Sequence, residues 1–255
     1  MPVLEEYSLS GRVAILSTAG GDQAPFLAQA LAEAGASIFT VARRQHLLDP
    51  VLAALAGSPG DHGGVAADIG AGDPSELARV MEAFDGRHGQ VDILVNDGRS
   101  MFAKPFNEIS LEEWDAVQSR NLRAAFLLCQ AVGQRMRDRK YGRIVNLVSV
   151  LAERGMINGS AFSVSQASLL ALTRSLAIEW GKDNIRCNAL GSGWFITEDI
   201  PLEEQQKELL VRYTPLRRKG HPRDIAPLLV YMCSESCDYA TGQPVYVDGG
   251  LNAHP

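Results

Sequence analysis

Short apolar runs, rich in β-branched residues, alternate along this chain with longer amphipathic runs, and that alternation leaves few folds open. Arg12–Leu16 reads as a strand, Ala24–Ala34 as a helix closed by Gly35, and Ser37–Val41 as a second strand. Gln45–Ala56 is a helical stretch expected to start in earnest at Pro50, with Asp49 as its cap. Gly64–Ala67 is a strand, Pro74–Phe84 a helix capped by Asp73, and Val91–Val95 a fourth strand. Leu111–Arg139 reads as one long helix, opened by a capping box of Ser110 and Glu113. Strands at Arg143–Val148, Ile185–Leu190 and Pro244–Val247 follow, with a long helix at Ala161–Gly181 between the first two. The strands are apolar on both faces, as a parallel sheet covered by helices requires. The expected architecture is α/β: a doubly wound parallel sheet of about seven strands with helices on both faces, in a single domain over residues 1–255. Gly191–Pro215 is the expected mobile segment, with a further helix at Leu202–Tyr213.

Composition narrows the function classes. Apolar residues at 46% and charged residues at 21% suit a packed globular chain and exclude a disordered or collagen-like one. A net charge of −6 argues against nucleic acid as a partner. The four cysteines have no zinc-ligand spacing, so no metal site is expected. The acidic start MPVLEEYSLS lacks the apolar core of a signal peptide. No run reaches the roughly 18 apolar residues of a membrane span. A cytoplasmic location without membrane contact is expected.

Seven segments, in order, resemble the short-chain dehydrogenase/reductase family. SGRVAIL with LAQALAEAGASIFTVARR resembles its first βαβ unit, and Ala67-Asp68-Ile69 its adenine-side turn. VDILVND resembles its D-x-L-V-N-N-A-G strand, and Asn121 in SRNLRAAF matches its helix asparagine. GRIVNLVSV resembles its serine-bearing strand, and NALGSGWFITED its N-x-x-x-P-G-x-x-x-T segment. PLRRKGHPRDIAPLLVYM with YATGQPVYVDGG is similar to its C-terminal consensus, so the resemblance runs from about Leu9 to Leu251. It implies a Rossmann-like fold and hydride exchange between a nicotinamide dinucleotide and an alcohol or carbonyl.

The site positions depart from that pattern. The family's phosphate loop is T-G-x-x-x-G-x-G; here Thr18, Asp22 and Ala24 hold the three glycine positions, with Gly20 and Gly21 between them. A carboxylate at Asp22 beside a diphosphate costs about 4 kcal/mol at ~4 Å and an effective dielectric of ~20. Otherwise Asp22 is a helix N-cap, taking up the amides a phosphate would use. Asp68 matches the adenine side, Asn96 the ribose side and Thr197 the carboxamide, while Arg43 and Arg44 stand where a 2′-phosphate binds in active relatives. Each also has a structural reading, as turn caps or a solvated face. The resulting expectation is that this chain binds no cofactor and that NAD(P) is held by a partner subunit.

In the family a Tyr, four residues before a Lys, exchanges the proton, and a Ser orients the carbonyl. Ser149 matches the Ser, but Phe162 and Gln166 hold the Tyr and Lys positions. Phe has no titratable proton and Gln no charge, so Asn121, Ser149, Phe162 and Gln166 read as vestigial and no catalytic residue is expected. The nearest spare polar groups are Asp97, Arg99, Glu153, Arg154 and Ser160. The five histidines, His46, His62, His88, His221 and His254, read as surface residues.

These losses imply a non-catalytic subunit supporting an active paralogue in a hetero-oligomer, through the two long helices and the C-terminal segment. Ser165, Ser168, Leu169, Leu172 and Thr173 are candidates for that interface or for internal packing. The chain is similar in this respect to the inactive subunit of heterotetramers of the 2-[hydroxy(phenyl)methyl]succinyl-CoA dehydrogenase type, which implies oxidation of a hydroxyacyl-CoA in anaerobic toluene degradation. Three other readings stay open: a cofactor-independent enzyme, a ligand sensor, and an NAD(P)-dependent oxidoreductase with atypical site residues.

Overall fold

A computed structural model describes residues 3–19 and 22–253. Strands β1 (Val13–Thr18), β2 (Ser37–Ala42), β3 (Gly63–Ala66), β4 (Ile93–Asp97), β5 (Gly142–Ser149), β6 (Ile185–Ser192) and β7 (Pro244–Val247) form one parallel sheet. Their order is β3-β2-β1-β4-β5-β6-β7. The order reverses between β1 and β4, so a crevice opens at the carboxyl ends of those two strands, where open α/β sheets bind ligands.

Alternate residues of each strand feed two cores. Ile93 and Val95 pack with α1 (Ala24–Glu33) and the late helix Pro222–Cys233 through Leu27, Leu31, Ile225 and Leu229. Ile15, Leu94 and Ile144 pack on the other face with Val80 and Phe84, and with Leu128, Val132 and Leu176. The helices of this second face are Pro74–Asp85, Ala124–Arg139 and Ser160–Trp180. In chain order the helices are α1, α2 (Gln45–Leu55), α3 (Pro74–Asp85), α4 (Leu111–Gln118), α5 (Ala124–Arg139), α6 (Ser160–Trp180), α7 (Leu202–Gln205), α8 (Leu209–Tyr213) and α9 (Pro222–Cys233).

Several expectations need correction. Helix α2 starts at Gln45, with Pro50 inside it. Pro50 and His46 are both exposed, so the His46 carbonyl that lacks its N–H partner stays solvated, and Asp49 accepts from Gln45 Nε2 at 2.7 Å instead of capping. The stretch Leu111–Arg139 is interrupted by a π turn, Ser119–Arg123. This turn presses two carbonyls outward. A Cβ at Gly70 would collide with the Ser119 carbonyl, and one at Gly98 with that of Asn121. The helix expected at Leu202–Tyr213 is two short ones, α7 and α8. Ser165, Leu169 and Thr173 are fully buried within the chain, which leaves Ser168 and Leu172 half-exposed. His88 is buried against Phe39 and Phe84 rather than at the surface, and burial pushes its imidazole pKa down. His254 lies outside the described residues.

Candidate functional site: a divided crevice

The register of β1, β4 and β5 brings the site residues to one edge. Thr18 pairs with Asp97 and Asn96 with Asn146. The crevice beyond them has two chambers, and Asp97 lines both.

The first chamber lies over β1, β2 and β4, lined by Thr18, Arg43, Asp68, Asn96 and Asn121 among others. Arg43 Nη1 stands 3.9 Å and Arg44 Nη2 3.6 Å from Asp68 Oδ2, so two guanidinium groups face one carboxylate. Arg43 Nε and Asn96 Oδ1 are buried and have no hydrogen-bond partner among the described residues. An orphaned donor and an orphaned acceptor in one chamber are what a bound polar ligand would satisfy. The Asn96 amide nitrogen is engaged, donating to Asn146 Oδ1 at 2.9 Å. These side chains have the chemistry that an adenosine and a 2′-phosphate would need, but the chamber as it stands, at about 20 Å³, would have to open to admit them.

The diphosphate end is less regular. Gly20 and Gly21 lie outside the described residues. Asp22 is exposed and is not the helix cap: Gln23 occupies that position, without a side-chain capping bond. Instead Gln23 Oε1 accepts from Arg99 Nη1 at 3.1 Å. Ala24 is the first residue of α1 and fully packed. Thr197 is half-buried in the segment after β6.

The second chamber, about 260 Å³, lies in front of Ser149. Ser149 Oγ accepts from Leu151 N at 3.2 Å, which caps a 3-10 turn. Phe162 is 1% exposed and packs with Val150, Leu151 and Leu251. Gln166 is fully buried; its Oε1 accepts from Ser149 N at 3.0 Å, and its Nε2 donates to Gly98 O at 2.8 Å and Ser165 Oγ at 3.2 Å. An amide is suited to this place because it offers both an acceptor and donors, whereas a lysine has only donors. Asn121, in the π turn, accepts from Ser100 N at 3.0 Å and donates to Ser100 O at 3.0 Å and Ser165 Oγ at 3.1 Å. Asn121, Ser149, Phe162 and Gln166 therefore lie together, and each is tied into the scaffold.

Arg99 was only one of several spare polar groups in the sequence, and the structure makes it central. Its Nε donates to Asp97 Oδ1 at 2.6 Å, and its Nη1 to Ser192 Oγ at 2.7 Å. With the bond to Gln23, the side chain spans from β4 to the start of α1 and the end of β6. The only signal in the sequence is a large cation directly after the strand, at Asp97-Gly98-Arg99, where the family pattern has N-A-G. Glu153, Arg154 and Ser160 do not line this chamber; Arg154 is drawn to the Leu251 carbonyl.

Residues 24–252 match the family described as enoyl-(acyl carrier protein) reductase. The chain is 31% identical over 251 residues to the D-threitol dehydrogenase of Mycolicibacterium smegmatis, covering 96% of this chain and 94% of that one. A short-chain type dehydrogenase/reductase from Mycobacterium marinum superposes with a TM-score of 0.88 at 28% identity, covering 98% of this chain and 99% of the other. A gluconate 5-dehydrogenase from Burkholderia cenocepacia J2315, solved with NADP and tartrate, superposes with a TM-score of 0.86 at 25% identity, over 99% of each chain. Two further solved relatives hold NADP. These complexes overturn the expectation that this chain binds no cofactor. Asp22 is exposed in the turn before α1, but it is these relatives, and not that exposure, that overturn it. On the sheet topology, the family match over most of its length and these relatives, the chain belongs to the short-chain dehydrogenase/reductase family of oxidoreductases.

Proposed function

We propose that this chain is a dinucleotide-holding subunit that does not itself exchange the substrate proton, and that it supports an active short-chain dehydrogenase paralogue. The observation that carries this reading is the conversion of the Tyr and Lys positions into packing: Phe162 belongs to an apolar cluster, and Gln166 joins the end of β5 to the loop after β4. The chemistry a nicotinamide dinucleotide supplies is hydride transfer. Alcohol–carbonyl exchange also needs a proton donor or acceptor, typically worth roughly 10²–10⁴-fold in rate. Among the described residues of the second chamber, the titratable groups are Asp97 and Arg99, and each is held by the other at 2.6 Å. Arg43 and Arg44 would hold the 2′-phosphate of NADP, and Asn96 would face the adjoining ribose.

The reading places the paralogue on the face formed by α4, α5 and α6. An apolar groove there is lined by Leu122, Phe126 and Leu172, and Phe126 and Ile178 are exposed. A hydroxyacyl-CoA is the substrate class this reading assigns to the paralogue. The test is native mass spectrometry of the protein from its source cells, together with NADPH fluorescence and turnover of the purified chain. A mixed oligomer, NADPH binding and no turnover by this chain alone are expected. Turnover by a homo-oligomer overturns the reading.

A further inference from the structure

Resting on the dinucleotide reading above, we propose that Arg99 is an internal strap across the crevice. While it is tied, the adenosine half of a dinucleotide has a place and the nicotinamide half does not. The strap must let go before the whole cofactor can lie across the sheet.

The strap stands where the two chambers meet. Asp97 lines both chambers, and Arg99, two residues on, lines the second. Arg99 Nε donates to Asp97 Oδ1 at 2.6 Å, while Nη1 donates to Gln23 Oε1 at 3.1 Å and Ser192 Oγ at 2.7 Å. Gln23 is the N-cap residue of α1, and Ser192 is the last residue of β6. The bonds therefore tie the end of β4 to the start of α1 on one side and to the end of β6 on the other. In an open parallel sheet a dinucleotide lies across the carboxyl ends of the strands at the switch point, with its diphosphate at the N-terminus of the first helix. A dinucleotide with its adenosine in the first chamber has to pass the start of α1 and go on towards β5 and β6. Arg99 is tied across that path.

The two halves of the crevice resist opening to different degrees. In the first chamber Arg43 and Arg44 stand 3.9 Å and 3.6 Å from Asp68, beyond hydrogen-bond length, and the Arg44 side chain is 56% exposed. Solvated contacts of that kind hold weakly, so these side chains part readily for an adenosine phosphate. The side chains of Arg99 and Asp97 are 9% and 2% exposed, and a short charge-assisted bond away from water is far harder to break. Release needs no backbone movement. Asn121 accepts from Ser100 N and donates to Ser100 O, both at 3.0 Å, which fixes the chain beside Arg99. What swings is the side chain. Its Nη1 ties run to neutral groups, an amide and a hydroxyl, so they break first, and the Asp97 bond stays as the pivot that keeps the guanidinium charge paired. The nicotinamide half binds only by replacing those ties, and their loss is subtracted from its affinity.

The probes are NADPH and 2′,5′-ADP, which carries the adenosine half alone. Both are titrated by calorimetry into the full chain and into the charge-balanced variant Asp97→Asn with Arg99→Ala. The emission maximum of NADPH reports whether its nicotinamide ring leaves water. In the unaltered protein the two nucleotides are expected to bind within about threefold of each other, with the emission unshifted. In the variant NADPH is expected to bind about tenfold tighter or more, with its emission moved to the blue, and 2′,5′-ADP to stay within about twofold. No tightening of NADPH, equal tightening of both nucleotides, or a blue-shifted ring in the unaltered protein overturns the strap and leaves the dinucleotide reading standing. Failure of both nucleotides to bind either protein overturns that reading and the strap with it. If the double variant fails to fold, Gln23→Ala removes one tie without unpairing a carboxylate. A gain of about threefold for NADPH alone is then expected, and no gain overturns the proposal.

Discussion

Replacing Gln166 by Lys restores the family's residue at its own position, and the structure makes this a costly change. Gln166 is fully buried and accepts from Ser149 N at 3.0 Å. Lysine has no acceptor, so the Ser149 N–H loses its partner, at about 1–3 kcal/mol. The new ammonium keeps donors for Gly98 O and Ser165 Oγ, but it lies in a place with no solvent access, which adds about 1 kcal/mol or more. A total of about 2–4 kcal/mol lowers Tm by roughly 4–16 °C, at about 2–4 °C per kcal/mol for a chain of this size. The sign of the pH effect follows from burial. Burial lowers a lysine's pKa in the folded state below its unfolded value of about 10.4. Between the two values the unfolded chain binds more protons, so the deficit narrows as pH rises toward 10. Thermal melts by circular dichroism at pH 7 and pH 9.5 measure both effects, and Gln166→Met supplies a control without the charge. A Gln166→Lys protein that melts within 2 °C of the parent at pH 7 would refute the claim that this position is structural.

The remaining expectations test other parts of the molecule. Arg43→Ala, removing the guanidinium whose Nε is unpaired in the adenosine chamber, is expected to weaken NADPH binding about tenfold or more and NADH binding far less, measured by nucleotide fluorescence; equal losses for both would count against the 2′-phosphate role. Gly98→Ala puts a Cβ against the Asn121 carbonyl and is expected to cost about 1–3 kcal/mol in urea unfolding; an unchanged midpoint would show that the π turn yields freely. Because burial lowers the pKa of His88, the unfolded chain takes up its proton first, and stability should fall as pH drops below about 6.5. His88→Leu should flatten that acid-side slope, and an unaltered slope in urea titrations from pH 7 to pH 5 excludes His88 as its source. Phe162→Tyr with Gln166→Lys is expected to give no NADPH-linked turnover, because Arg99 still spans the crevice; measurable turnover would show that the Tyr/Lys pair was all that was missing.

Much of this was legible in the order of residues. Periodicity 2 and 3.6 are local properties, so strands such as Arg143–Val148 and caps such as Ser110 with Glu113 could be read directly, and the capping box is present. The substitutions at the Tyr and Lys positions were equally plain, because family spacing fixes their place along the chain. Contacts between distant segments were not legible. The bond from Arg99 to Ser192 spans 93 residues and that from Gln166 to Gly98 spans 68. Nothing near either residue signals its partner. The cofactor expectation rested on the charge of Asp22 and the missing glycines, and it was overturned by relatives of the same fold that hold NADP. Residue identity determined the architecture and placed Phe162 and Gln166 at the family's Tyr and Lys positions. Only the folded chain, by bringing the ends of β1, β4 and β6 together, decided that Arg99 divides the crevice and leaves a polar chamber beside Arg43 and Asp68 on one side and an apolar one on the other.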